Sequence, residues 1–232
     1  METTSSGFSL LELFVMGGIF MWPLLFFSIA TVAIALERLI YLLYHNLKLD
    51  DLKQKVESAL LDGNLEEAKE YLESRTKRRM GARILLALVN QPGLSEHRLE
   101  RAVEAEAMRC VSSLENGFNF LTALGSLSPL TGFLGTVSGM IGAFRSIAEA
   151  TDVNAQIVAN GIYEALITTV FGLIIAIIAM SAYSLFTHVV DKFASEVEIV
   201  CSDLINKIVS GNQIGGTADP KKPAGNPDED QA

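Results

Sequence analysis

Three long stretches without a formal charge constrain this chain more than anything else in it: residues 13–36, 117–144 and 165–190. They are bounded by Glu12 and Glu37, by Glu115 and Arg145, and by Glu164 and Asp191. A helix needs roughly 20 apolar residues to cross the hydrocarbon of a bilayer, and all three stretches are long enough. Core helices of soluble proteins usually keep a polar face. The expected fold is therefore an all-α integral membrane protein with three transmembrane helices. Residues 1–20 contain no Lys or Arg, and the first stretch exceeds the apolar region of a cleaved leader, so it reads as a permanent anchor.

The basic residues orient the spans. Of 18 Lys and Arg, 12 lie between residues 45 and 116 and four follow the third span (Lys192, Lys207, Lys221, Lys222), while Arg38 sits at the end of span one. Only Arg145 lies on the other side. Basic residues are retained in the cytoplasm. The N-terminus and the link between spans two and three are thus expected outside, and the C-terminus inside.

Along the chain the pattern predicts an external N-terminus (1–12), transmembrane helix one (13–44) and a cytoplasmic helical hairpin region (45–94). A long helix containing span two (95–148), an external link (149–160) and a long helix containing span three (161–210) follow. Pro23 either kinks span one or ends an interfacial first turn. In the hairpin region, two short helices flank Asp62-Gly63-Asn64, with Leu52, Val56, Ala59 and Leu60, then Leu65, Ala68 and Leu72, at helical spacing. Gln91-Pro92-Gly93 reads as a break and Ser95 as an N-cap. The apolar pattern of Leu99, Val103, Ala107, Val111 and Leu114 reads as one unbroken helix running into span two. Span three continues through Phe193, Val197, Val200 and Leu204. Two membrane helices are thus expected to extend far into the cytoplasm. Residues 211–232, rich in Gly, Pro, Asp and Lys, read as a disordered tail.

Inside the membrane the informative residues are small or hydroxylated. Gly125, Ser128, Gly132, Gly135, Gly139 and Gly142 form a heptad seam in span two, which suits close helix packing. Thr136 lies about 100° from that seam. Thr168 and Thr169 lie in span three. A membrane threonine ordinarily bonds its own helix; the functional alternative is a polar path. Glu164 opens the third stretch. An acid in the first turn of a helix is favoured by the helix dipole, whereas carboxylates inside membranes commonly mark ion paths.

What is missing also bears on function. No Asp, Lys, Arg or His occupies the middle of a span. No phosphate-binding loop, zinc-protease motif, nucleophile elbow or dinucleotide fingerprint occurs, so no enzyme, catalytic residue, metal or cofactor is expected. Cys110 and Cys201 fall on the cytoplasmic side, where a disulfide is not expected. The net charge of −9 comes with no basic patch, so nucleic acid is not an expected partner.

Residues 127–141 (LSPLTGFLGTVSGMI) resemble the second span of the MotA/TolQ/ExbB proton channel family. Residues 161–173 (GIYEALITTVFGL) resemble the start of its third span, and Trp22-Pro23-Leu24 with Leu36-Glu37-Arg38 resembles its first. Three spans match the ExbB and TolQ branch better than the four of MotA. The resemblance implies a bacterial inner-membrane homo-oligomer, a pentamer, whose second and third spans surround a pore. A dimer of an ExbD/TolR-like single-span protein would occupy that pore and supply a proton-carrying Asp. A TonB-like periplasm-spanning protein is a further partner of this kind. On the matching positions, Thr136, Thr169 and Thr168 would line the path with Glu164, and span one would be a peripheral, lipid-facing anchor. The alternative is a non-conducting scaffold that holds a partner helix. A secondary transporter fits poorly, because inverted repeats and broken helices are missing.

Overall fold

The computed structural model describes residues 10–62, 64–90, 96–149 and 155–215. Its helices are α1 (Leu10–Met16), α2 (Met21–Tyr44), α3 (Asp50–Leu61), α4 (Leu65–Glu73), α5 (Met80–Val89), α6 (Glu96–Glu115), α7 (Phe118–Glu149) and α8 (Ala155–Gly215). No strand occurs among the described residues. Three helical segments are long and apolar enough to cross a membrane: α2, the α6–α7 run and α8. The 61 residues of α8 span about 90 Å, three times the roughly 30 Å hydrocarbon core, so α8 extends well beyond a bilayer.

The chain divides into two units, residues 1–46 with 110–193 and residues 47–109 with 194–232. In the first, the charge-free stretch 13–36 is not one helix. It breaks at Gly17 and Gly18, where Gly18 adopts φ +67, a left-handed conformation that favours glycine. Pro23 falls in the first turn of α2, where its missing N–H costs no hydrogen bond. Met21 and Leu24 of α2 form a buried cluster with Ile167 and Ile175 of α8, and Leu13 and Phe14 of α1 pack against it. Only 11% of the apolar window of α2 is buried, against 39% for α8. Trp22, Phe26, Ile29 and Ile40 are exposed, the pattern of a lipid-facing helix.

The long helix expected over residues 95–148 is also interrupted. Gly117 takes φ +89, and α7 restarts from its carbonyl, which accepts from Phe120 N–H at 3.1 Å. The apolar periodicity runs through this site, but periodicity does not report a single residue's backbone sign. Arg38 fills the space beside Gly117: a Cβ there would stand 3.2 Å from its Nε. Arg38 also pairs with Glu37 at 2.5 Å. Tyr41 and Ser113 share a hydrogen bond of 3.1 Å. At the start of α7, Phe118 stacks on Phe186 of α8 at 6.0 Å.

The second unit contains α3, α4 and α5, which pack on one another. Leu52 and Val56 of α3, Ala68 and Leu72 of α4, and Ile84, Leu85 and Leu88 of α5 are buried. In this unit α8 runs beside α3, where Lys53 pairs with Asp203 at 2.8 Å and Lys207 pairs with Glu57. The hydrogen bond from Lys53 holds the Asp203 carboxyl below its ordinary range, and that to Glu57 raises Lys207. Arg79 reaches Asp51 at 3.2 Å and Arg83 reaches Glu106 at 2.7 Å. Cys110 and Cys201 are buried and form no disulfide. Gly63, the break at Gln91-Pro92-Gly93, the Ser95 cap, residues 150–154 of the link and residues 216–232 of the tail lie outside the described residues.

Candidate functional site

Close approach of α7 and α8 builds the site, and glycines set that approach. A Cβ on Gly132 would lie 2.7 Å from the Thr168 carbonyl oxygen and 3.1 Å from the Thr169 Cα. On Gly172 it would lie 2.5 Å from the Ser128 carbonyl oxygen, and on Gly161 2.6 Å from the Ala143 Cβ. These obstacles are mostly backbone, which cannot swing aside. At Gly135 the added atom would run into the Thr168 side chain. At Gly139 it would stand 3.1 Å from the Ala165 Cβ, and at Gly125 it would crowd the flexible Met180 side chain. Ser128 is fully buried, its Oγ donating to the Leu124 carbonyl at 2.6 Å.

The seam ends before Gly142. An added Cβ there meets nothing within 4 Å, while Ala143 is buried and takes the contact with Gly161. A straight helix drifts about 20° per heptad against a strict seven-residue repeat. By the fourth turn the contact has moved one residue on, and Gly142 lines an open cavity instead.

With the backbones this close, three hydroxyls gather around two carbonyls. The Thr168 hydroxyl donates to Ala165 O at 2.8 Å and approaches Gly132 O at 3.2 Å. Thr169 Oγ1 lies 3.2 Å from Gly132 O. Thr136 Oγ1 lies 3.0 Å from Ala165 O and 3.3 Å from Gly132 O, and it shares a hydrogen bond with Thr169. Thr168 is buried, at 1% exposure, whereas Thr136 and Thr169 are half-buried. Thr136 and Thr169 are thus paired at the edge of the interface, and Thr168 is enclosed within it. Elsewhere in α7 the hydroxyls of Thr122, Ser126 and Thr131 bond their own helix, as membrane hydroxyls ordinarily do. Further along α8, the Thr187 hydroxyl is buried with no hydrogen-bond partner among the described residues.

Glu164 lies apart from the hydroxyls. Because α8 begins at Ala155, Glu164 is nine residues into the helix rather than in its first turn. The dipole effect falls off within that turn, so it does not account for an acid at this position. The carboxylate sits against Gly18, where an added Cβ would overlap Oε1. Glu164 also lines a cavity of about 560 Å3 between the α1–α2 turn, α7 and the start of α8. Its polar lining includes Ser138, Ser146 and Asn160. Sequence reasoning missed this cavity and the contact between Gly18 and Glu164. The Gly17-Gly18 pair was the available signal, a turn marker inside an apolar run.

Residues 65–199 match the MotA/TolQ/ExbB proton channel family. A Synechocystis sp. protein named ExbB-like 1 is 33% identical over 201 residues, covering 82% of this chain and 78% of that protein. The Tol-Pal system protein TolQ of Haemophilus influenzae is 44% identical over 84 residues, 36% of this chain and 37% of TolQ. The biopolymer transport protein ExbB of Salmonella typhimurium is 33% identical over 108 residues, 47% of this chain and 43% of ExbB. The matches to TolQ and ExbB therefore span less than half of those proteins. The matched family, together with the three apolar helices, indicates a multi-pass inner-membrane protein. The chain belongs to the MotA/TolQ/ExbB proton channel family.

Proposed function

We propose that this chain is an ExbB/TolQ-like subunit of an inner-membrane motor driven by the proton-motive force. It conducts protons together with an ExbD/TolR-like single-span partner and passes the energy to the cell envelope or to outer-membrane transport, with a TonB-like protein as a further element. The N-terminus faces the periplasm and the C-terminus the cytoplasm, following the distribution of Lys and Arg. The observation that carries this reading is the Thr136–Thr169 pair, half-buried between two membrane helices whose middles hold no titratable side chain. Hydroxyls can relay or solvate a proton but do not store one at neutral pH. The partner supplies the carboxylate.

The outer face of α7 is apolar. Leu127, Leu130, Leu134, Val137, Ile141 and Phe144 are 40–63% exposed. They repeat with the spacing of the glycine seam but two residues on, about 200° around the helix. A pentamer around the partner's helices would cover this face. Each proton that enters releases about 2.3 kcal/mol per 100 mV, so several must act together to move an assembly.

The test is proton flux in liposomes holding the chain and its partner. Thr136→Ala, Thr169→Ala and Glu164→Ala are each expected to depress it. Unchanged flux in all three would sink the assignment. The scaffold reading also has an observation in its favour, since all three threonine hydroxyls have backbone acceptors. It expects no flux from the wild-type complex either.

A further inference from the structure

The cavity beside Glu164 has a direction. Its α7 wall runs from Ser146 through Gly142, Gly139 and Ser138 to Gly135. Those eleven steps cover about 16 Å of helix axis, half the thickness of a hydrocarbon core. Its α7 wall ends at Gly135, which packs on Thr168. Its opposite wall carries Asn160 and Glu164 of α8, and Met16 at the end of α1 and Phe20 of the α1–α2 turn border it. The polar side chains are spread along this length, and the volume of about 560 Å3 holds many waters at roughly 30 Å3 each.

We propose that this cavity is a water-filled vestibule within a single subunit, bringing protons from the outer face to Glu164, which lines it. We further assign Gly18 as the positioning residue that keeps the Glu164 carboxylate at the vestibule wall. The inference rests on the proposed conduction and orientation, and adds a route and a residue to them. Gly18 suits this role for two independent reasons. Its φ of +67 disfavours other residues, and a Cβ would occupy the space that Glu164 Oε1 fills. The carboxylate therefore rests against bare backbone, and any side chain at residue 18 displaces it.

Two measurements test this. The first is labelling of single-cysteine variants of the full chain, in its native complex in spheroplasts, by a membrane-impermeant thiosulfonate added outside. Only the thiolate reacts, and it forms only in water. Ser146→Cys and Ser138→Cys are expected to react at least about tenfold faster than Ile29→Cys on the lipid-facing side of α2. Peptide mass spectrometry separates them from Cys110 and Cys201. A Ser138→Cys that reacts no faster than Ile29→Cys overturns the vestibule.

The second is a double-mutant cycle in proton flux. Gly18→Ala and Gly18→Asn both add the Cβ, but Asn tolerates the left-handed conformation better. Both are expected to depress flux, which separates loss of space from backbone strain. Glu164→Asp withdraws the carboxylate by about 1.5 Å, so in that background neither change is expected to reduce flux further. Wild-type flux in both single variants, or equal losses in the two backgrounds, overturns the role of Gly18. The labelling does not depend on conduction. A conduction failure with Ser138→Cys still labelled from outside counts against the proposed function and leaves the water path standing.

Discussion

Replacing Gly172 by Ala should separate α7 from α8. The new Cβ would lie 2.5 Å from the Ser128 carbonyl oxygen and 3.2 Å from the Gly132 Cα, both backbone atoms. Restoring ordinary contact requires a shift of roughly 1 Å between closely packed helices. The Thr168 and Thr169 hydroxyls each stand 3.2 Å from Gly132 O, and the same shift carries them to roughly 4 Å, beyond hydrogen bonding. Interhelical hydrogen bonds in membranes contribute about 0.6 kcal/mol on average and up to about 1.7. Losing two costs about 1–3 kcal/mol. Holding the helices together instead strains the packing, which costs about 1–3 kcal/mol. The penalty has the same size by either route. Gly142→Ala is the control: it is a glycine of α7 beyond the end of the packed seam, and its Cβ meets nothing within 4 Å. There the change should be neutral, or stabilising by up to about 1 kcal/mol from helix propensity. The assay is reversible unfolding of the full chain in mixed micelles, followed by circular dichroism. The reasoning is refuted if Gly172→Ala is as stable as the wild type, or if Gly142→Ala loses as much.

Thr168→Val and Thr169→Val should part company. The enclosed Thr168 should lower stability in the same unfolding assay while leaving proton flux within about twofold, whereas Thr169 should lose most of the flux with a smaller stability change; equal profiles would contradict the division of roles. Burial pushes the Cys201 thiol up from 9.0 to about 12, so its alkylation at pH 8 should be slower than that of a free thiol by on the order of 10²–10³, rising steadily as the pH is raised toward 12 or on unfolding. Labelling at the rate of a free thiol at pH 8 would contradict the burial.

Sequence alone supplied the membrane helices and the hydroxyls because both depend on side-chain chemistry repeated over many residues. Three uncharged stretches survive any local error, and residues 161–173 match a long motif. What sequence concealed are features fixed by single backbone angles or by neighbours distant in the chain. Gly117 sits inside a smooth apolar pattern, and only its φ of +89 reveals the interruption. Gly17 and Gly18 look like ordinary membrane glycines until Met21 and Glu164 appear beside them. Helix α5 is hard to read from sequence because a ten-residue apolar run is short for a span and holds a single charged residue, Arg83. Gly142 leaves the packing seam because a repeat of seven drifts around a helix whose turn is 3.6 residues. Which of Thr168 and Thr169 is buried also needed three dimensions, since adjacent residues differ by 100° and either could have faced outward.

The placement of glycines argues for a stiff wall rather than a moving one. At Gly132 and Gly172 the opposing atoms are backbone, so the contact has no rotamers to exchange. Sliding α7 along α8 would bring a bulkier residue of one helix against the backbone of the other. The hydroxyls reinforce that register, because Thr168 and Thr169 of α8 lie within hydrogen-bonding distance of a carbonyl of α7. Placing the titrating carboxylate on this wall would also burden its insertion, at about 2.5–3.5 kcal/mol for a charge at mid-membrane. If protons do drive motion in the assembled motor, the element that changes charge and position is better carried by a partner helix against this wall. A rigid pair of spans then gives that helix a fixed track, and locking α7 to α8 with a disulfide should leave proton flux intact.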